Sequence, residues 1–323
     1  MKQKIYIPFG VFSLVIILIP FFLKNPYNLG VVVQAGIFSL IAMGLSLLMG
    51  YAGQISLGHA SFFGLGAYTS AILTGTYGWS PWTAILAGLF ITGLVAWIIG
   101  KPSLKLKGHY LAMATLGFGV IVHIFFLAEV ELTGGPSGYT SDLGIIPFIG
   151  FGKFMINTEV RSFYFVWIIL LIVLLFTLHI IHSRIGRALR SIHIDEEASR
   201  AMGVNTSRLK VRIFVLSALY ASLAGSLYCH YILFVAPGPF SLMESVLLVT
   251  MVIIGGMGSI WGAIAGATLL TVLPEVLRAF DDYNILIYGA ILLFIMLFLP
   301  GGLFGGSQMV WKWLKRFLTR ERI

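Results

Sequence analysis

Small and polar side chains crowd one stretch of an otherwise apolar chain, GYAGQISLGHASFFGLG at residues 50–66. Glycines let helix backbones approach closely, and a helix broken at membrane depth frees backbone groups that line a cavity. On that reading Gln54, Ser56 and His59 are polar groups beside a pathway, and Gly53, Gly58, Gly64 and Gly66 lie at a seam with a partner chain. Tight packing, with the same polar groups satisfied inside one bundle, accounts for the composition equally well. A second cluster, Gly255, Gly256, Gly258, Gly262 and Gly266, places its last two glycines at the four-residue spacing that favours close helix contact. Packing is the better reading there.

The stretch 183–212 differs in kind. It carries seven bases, Arg184, Arg187, Arg190, Arg200, Arg208, Lys210 and Arg212, against three acids, Asp195, Glu196 and Glu197. Ala188, Leu189, Ile192, Ala198, Ala201 and Met202 fall at the spacing of short amphipathic helices, and Gly203 stops the second as a C-cap. A solvated basic loop needs the arginines but not that punctuation. A docking surface for a cytosolic partner explains both.

Other chemistry finds little footing. The chain has no GxxxxGK[ST] loop to hold ATP and no HExxH zinc signature. His179 and His182 lie three apart at the end of an apolar run, and His123 and His230 stand singly; interfacial or hydrogen-bonded histidines are the plainer reading of all four than metal ligation or a proton relay. A single cysteine, Cys229, excludes an intrachain disulfide and a cysteine-based metal site. No catalytic group, metal or cofactor is assigned to this chain.

The elements that must position these groups follow from composition. The chain has 323 residues, 59% hydrophobic and 10% charged, with mean hydropathy +0.97, more apolar than a soluble core can absorb. A spanning helix takes about 20 residues, which leaves room for roughly ten. Apolar stretches fall near 5–23, 31–49, 55–75, 82–100, 109–128, 163–182, 212–231, 246–256, 259–273 and 285–300, the eighth and ninth being either two spans or one re-entrant segment. The opening run lacks a small-residue cleavage site and reads as a retained first span. A net charge of +9 marks cytoplasmic loops here, not nucleic-acid binding. Bases cluster at Lys2 and Lys4, at Lys101, Lys105 and Lys107, in 184–212, and at Lys312, Lys315, Arg316, Arg320 and Arg322. All four belong inside, which puts both termini in the cytoplasm and the acidic segment 129–161, with Glu129, Glu131, Asp142 and Glu159, outside; Lys24 alone runs against the rule. The whole of 1–323 is one transmembrane domain.

Six blocks carry a resemblance: 50–68 (GYAGQISLGHASFFGLGAY), 106–119 (LKGHYLAMATLGFG), 132–138 (LTGGPSG), 186–203 (opening GRALRSI and closing AMG), 255–262 (GGMGSIWG) and 300–305 (PGGLFG). In this order they resemble the high-affinity branched-chain amino acid ABC permeases of the M type. The resemblance implies an all-α fold similar to the vitamin B12-type (type II) importer permeases, in the bacterial inner membrane. It also implies a second related permease, two cytosolic ATPase subunits that carry ATP and magnesium, and an extracytoplasmic substrate-binding protein. Residues 197–203 resemble the permease coupling signature EAAxxxG, with Ser199 for the second alanine, so Asp195, Glu196, Glu197, Ala198, Ser199 and Gly203 are expected to couple this chain to the ATPase. His109 stands where many relatives carry an acid, and no charge role is assigned to it. Permeases of the same architecture serve urea, short amides and other amino acids. An ATP-independent transporter or channel would leave the punctuated basic loop without a purpose, and a membrane enzyme would need convergent titratable groups at one depth.

Overall fold

A computed structural model describes residues 3–23, 25–139, 158–278, 284–299 and 301–306. Among them the chain forms α1 (Gln3–Phe22), α2 (Pro26–Ser46), α3 (His59–Gly75), α4 (Pro81–Ser103), α5 (His109–Ala128), α6 (Val130–Thr133), α7 (Glu159–His182), α8 (Arg184–Ile194), α9 (Glu196–Ala201), α10 (Thr206–Ile232), α11 (Leu242–Gly255), α12 (Ile260–Leu277) and α13 (Asn284–Phe298). No strand occurs among the described residues; Tyr139 and Val235 make an isolated bridge.

Local signals set many of the boundaries. A side-chain oxygen satisfies a free N–H at the starts of α2 (Asn25), α4 (Ser80), α10 (Asn205) and α12 (Ser259). Pro26 and Pro81 follow at the first helical position, where a missing N–H costs nothing.

Among the described residues six helices are long and apolar enough to cross a membrane: α2 with its continuation to Tyr51, α4, α5, α7, α10 and α12. Apolar segments of α1, α11 and α13 are shorter, and α3 has 17 residues. At the centre stands α2, buried almost without interruption from Ala35 to Met49 and packed against α7, α10 and α12. Helix α3 lies between α4 and α10. The outer faces of α4, α5 and α7 expose long apolar side chains such as Phe90, Ile121 and Ile172, as a surface solvated by lipid requires.

Two apolar stretches depart from simple spans. The stretch from 55 is helical only from His59, because 52–58 leave the π-helical end of α2 as an irregular run. The stretches at 246–256 and 259–273 are two helices, α11 and α12, broken at Gly256–Ser259. At 14 residues, α11 is about 21 Å long, less than the roughly 30 Å of hydrocarbon. The middle of 129–161, with Asp142 and Lys153, lies outside the described residues, as do Lys2, Lys24 and the basic cluster Lys312 to Arg322.

Candidate functional site

The glycine-rich segment is stitched into the chain's own interior. His59 opens α3 fully buried, with Nδ1 3.0 Å from Ser56 Oγ and Nε2 2.7 Å from Ser217 Oγ on α10, so both ring nitrogens are engaged. Around it Leu57 N–H donates to Thr115 Oγ1 on α5 at 3.0 Å, and Ala60 N–H to Ser245 Oγ on α11 at 3.2 Å. Ser61 Oγ donates to the Gly119 carbonyl at 3.2 Å. One short segment thereby ties α3 to α5, α10 and α11 with no buried polar group left open, the condition such groups must meet.

Its glycines answer to close approach. A Cβ at Gly58 would lie 2.5 Å from the Thr115 carbonyl oxygen, and one at Gly64 would lie 2.6 Å from Phe126 Cε2 and 2.8 Å from Phe240 Cγ. At Gly66 it would overlap the Ser222 backbone of α10. These three face neighbours within one chain. Gly53 and Ile55 are exposed, with Gln54 half-buried between them. Gln54 turns back on Ala52, Nε2 donating to its carbonyl at 2.9 Å. Gly53, at φ +66°, abuts His193 of α8. In the second cluster Gly255, Gly262 and Gly266 sit where α11 and α12 cross with no room for a Cβ, while Gly256 holds the turn between them and Gly258 faces open space.

At the end of the bundle where α2 stops, α8 and α9 form a lip. Arg190 stacks over Tyr51, its guanidinium carbon 5.3 Å from the ring centre, which holds α8 against α2. Asp195 caps α9 and accepts from the N–H groups of Glu197 and Ala198 at 2.8 and 3.0 Å. Glu196 points inward. Its carboxylate accepts from Lys210 Nζ, from Arg200 at 2.9 Å and from Thr206 Oγ1 at 3.2 Å. Burial pushes the Glu196 pKa up, but the hydrogen bond and charge of Lys210, with Thr206 and Arg200, outweigh it and hold the carboxyl below its ordinary range. Lys210 is itself buried, so this is an internal brace. Ser199 is buried too, Oγ donating to the Asp195 carbonyl at 2.7 Å.

The outward face includes Glu197, Ala198, Ala201, Ile194 and Met202, the last two each 85% exposed. Met202 belongs to the amphipathic pattern of the sequence and Ile194 does not; its signal is an aliphatic residue beside charged Asp195 at a helix end. Gly203 closes α9 at φ +86° with nothing near its Cβ position, so its role is conformational. Lys107 reaches Glu197 at 3.4 Å, which places the Lys101 to Lys107 cluster on the same end of the bundle as the basic segment 184–212. His179 and His182 bond through Nδ1 to the carbonyls of Leu175 and Leu178 in their own helix, at 2.7 and 2.8 Å.

Residues 27–299 match the family described as the permease component of branched-chain amino acid transport systems. The high-affinity branched-chain amino acid transport system permease protein LivM of Salmonella typhimurium is 33% identical, over 94% of this chain and 75% of its own length. LivM of Escherichia coli is 34% identical, over 83% of this chain and 67% of its own length. The companion permease protein LivH of Salmonella typhimurium is 25% identical, over 90% and 97%. No solved structure matches the chain. A match that runs through nearly every described helix, on a bundle whose outer faces suit lipid, places this multi-pass chain in the family of branched-chain amino acid transport permeases.

Proposed function

We propose that this chain is a transmembrane permease subunit of an ATP-driven importer that moves leucine, isoleucine and valine into the cytoplasm. It pairs with a second, related permease, receives substrate from an extracytoplasmic binding protein, and seats α8–α9 on one of two cytosolic ATPases that carry ATP and magnesium. The family match through 27–299 is the observation that carries this reading. The outward Glu197, Ala198, Ile194 and Met202 on a braced, capped helix support the seat, because force from a separate subunit must cross a rigid contact. Asp195, Glu196, Ser199 and Gly203 shape that seat from within.

Ten crossings with both termini cytoplasmic, similar to the vitamin B12-type permeases, fit the alternation of α1, α2, α3, α4, α5, α7, α10, α11, α12 and α13. The two described basic clusters meet at one end through Lys107 and Glu197. At the other end Tyr231 on α10 donates to Glu159 at the start of α7, and Tyr27 at the start of α2 donates to Glu275 near the end of α12. Starts of inward helices thus meet ends of outward ones. Gly53, Gln54 and Ile55 are the part of the glycine-rich segment left to face a partner.

The test is uptake of labelled leucine by the reconstituted complex with its cognate binding protein, beside copurification of the chain from native membranes. Leucine uptake that depends on ATP, with two ATPases and a second permease in the complex, is the expected result. Uptake of urea or a short amide in place of leucine overturns the substrate, and uptake by the chain alone without ATP overturns the importer.

A further inference from the structure

The first turn of α11 lies level with the first turn of α3, with Ser245 buried against it and Leu242 and Met243 exposed. Phe240, in the turn before it, is buried against Phe63 and Tyr68 of α3, with ring centres 5.1 and 5.6 Å away. Ser245 meets the first turn of α3 through the Ala60 N–H at 3.2 Å. Between α10 and α11 the chain pairs with Tyr139, whose N–H donates to the Val235 carbonyl at 2.7 Å, and then buries Phe240 before α11 begins. Irregular backbone at membrane depth persists only where protein buries it or a cavity adjoins it.

Protein buries Val235 and Phe240 of that run, and a cavity adjoins the first turns of α11 that follow it. About 500 Å³ of space lies between α11, α12 and α13, walled by Met243, Val246, Leu247, Leu270 and Leu292. Into this apolar wall are set the Glu244 carboxylate, the Tyr288 phenol and Thr250. Thr250 gives its hydroxyl proton to the Val246 carbonyl at 2.8 Å. Among the described residues no hydrogen bond or ion pair engages Glu244 or Tyr288. A carboxylate at membrane depth is costly unless it is paired or protonated, and one that opens on a cavity can take a cationic partner from outside the chain.

Resting on the function proposed above, we infer that this cavity is a transient binding station for an aliphatic α-amino acid on its way through the membrane, with the ammonium group on Glu244. The chemistry matches each part of such a molecule. An ammonium donates to the unpaired carboxylate, a branched aliphatic side chain fits the Met243 and Val246 wall, and Tyr288 O–H is free to donate to the substrate carboxylate. The volume exceeds that of one leucine, so water shares the space and the hold is loose. Loose holding suits a passage that must also release. An acyl chain of lipid fills the same walls but brings nothing to Glu244.

The experiment uses the full complex in proteoliposomes, with the cognate binding protein and labelled leucine. Wild-type uptake tests the functional reading; the ratio of variant to wild type tests this inference. Glu244→Gln keeps the shape and removes the charge, and uptake is expected to fall about tenfold or more, the scale of one lost charge-assisted hydrogen bond. Glu244→Asp is expected to restore most of it. Val246→Trp, on an exposed position of the wall, fills the cavity and is expected to slow uptake comparably at wild-type subunit stoichiometry. Should Glu244→Gln fail to assemble, Val246→Trp decides alone. Wild-type uptake in both Glu244→Gln and Val246→Trp overturns the binding station, marks the cavity as lipid-filled, and leaves the importer reading standing.

Discussion

The two regions richest in polar and small residues use them in opposite directions. Around His59 the side chains of Ser56, Ser61, Thr115, Ser217 and Ser245 all turn inward, and Gly58, Gly64 and Gly66 let α3 close on its neighbours. Around α9 Glu196, Ser199, Thr206 and Lys210 turn inward, and the lip presents Glu197, Ala198, Ile194 and Met202 to whatever lies beyond the chain. In the first region a glycine is there for space. In the second, Gly203 is there for its backbone, with open space around it.

The contrast breaks most visibly at Gly66. A side chain there meets the Ser222 backbone, which cannot step aside as a side-chain tip can. Overpacking of a tight core costs about 1 to 3 kcal/mol and occasionally more, and a backbone obstacle puts Gly66→Leu at the upper end. The expected outcome is loss of most folded chain from the membrane fraction, measured by detergent-extracted yield and thermal melting. A folded Gly66→Leu protein of normal yield would show that the α3–α10 contact is looser than drawn here.

Ala198→Trp probes the other region and should leave folding alone, because Ala198 is exposed. Its effect belongs to assembly. Losing a central contact typically costs about 2 kcal/mol or more, and about 1.4 kcal/mol is a factor of ten, so leucine uptake by the reconstituted complex should fall more than tenfold. Substrate-stimulated ATP hydrolysis should be lost or uncoupled with it. Normal uptake and stoichiometry would make α9 a solvated connection only.

How much of this was legible in the sequence follows the range of the signals. The lip was legible because its signals are local: Asp195 is two and three residues from the N–H groups it caps, and Gly203 follows the helix it ends. The inward turn of Ser199 was not, since it depends on how α9 lies against α10. The two readings of the 50–66 segment stayed balanced for the same reason: whether Gly64 faces Phe240 of its own chain or a partner is decided by contacts far apart in sequence. The recessed setting of Glu244 was not legible, because hydropathy locates apolar runs and not the depth at which they start. Only the burial of Phe240 and the bond from Ala60 to Ser245 show that its turn is recessed.

Glu196 sharpens the comparison within the lip itself. Its folded pKa is held below the ordinary carboxylate value of 4.5, so its stabilising contribution is present above about pH 4.5 and is lost as pH falls through the lower, folded value. Glu196→Gln should therefore loosen α9 at neutral pH, leaving Lys210 buried without its counter-charge. Hydrogen exchange of α9 amides should be faster in the variant at pH 7, and the gap to wild type should close only as pH falls through the folded pKa, below 4.5, where wild type also becomes neutral. A gap that persists at low pH would mean that shape, not charge, makes the brace.

The smallest effect is expected one residue on. Lys107 and Glu197 approach to 3.4 Å, yet their side chains are 66% and 81% exposed, so water screens the pair and the long lysine loses freedom to make it. Exposed pairs contribute about 0 to 1 kcal/mol, which predicts that Lys107→Gln leaves α9 exchange and thermal stability within error of wild type. Adjacent acids of the same type would then differ because one is enclosed by Lys210, Arg200 and Thr206 and the other is open. An open acid on an outward face remains free to meet a basic group of the ATPase. On that account Glu197→Lys should lower ATPase retention during purification while α9 exchange stays unchanged in the isolated permease. Faster exchange in Lys107→Gln, comparable to that of Glu196→Gln, would instead make both acids braces and shrink the docking face to Ala198, Ile194 and Met202.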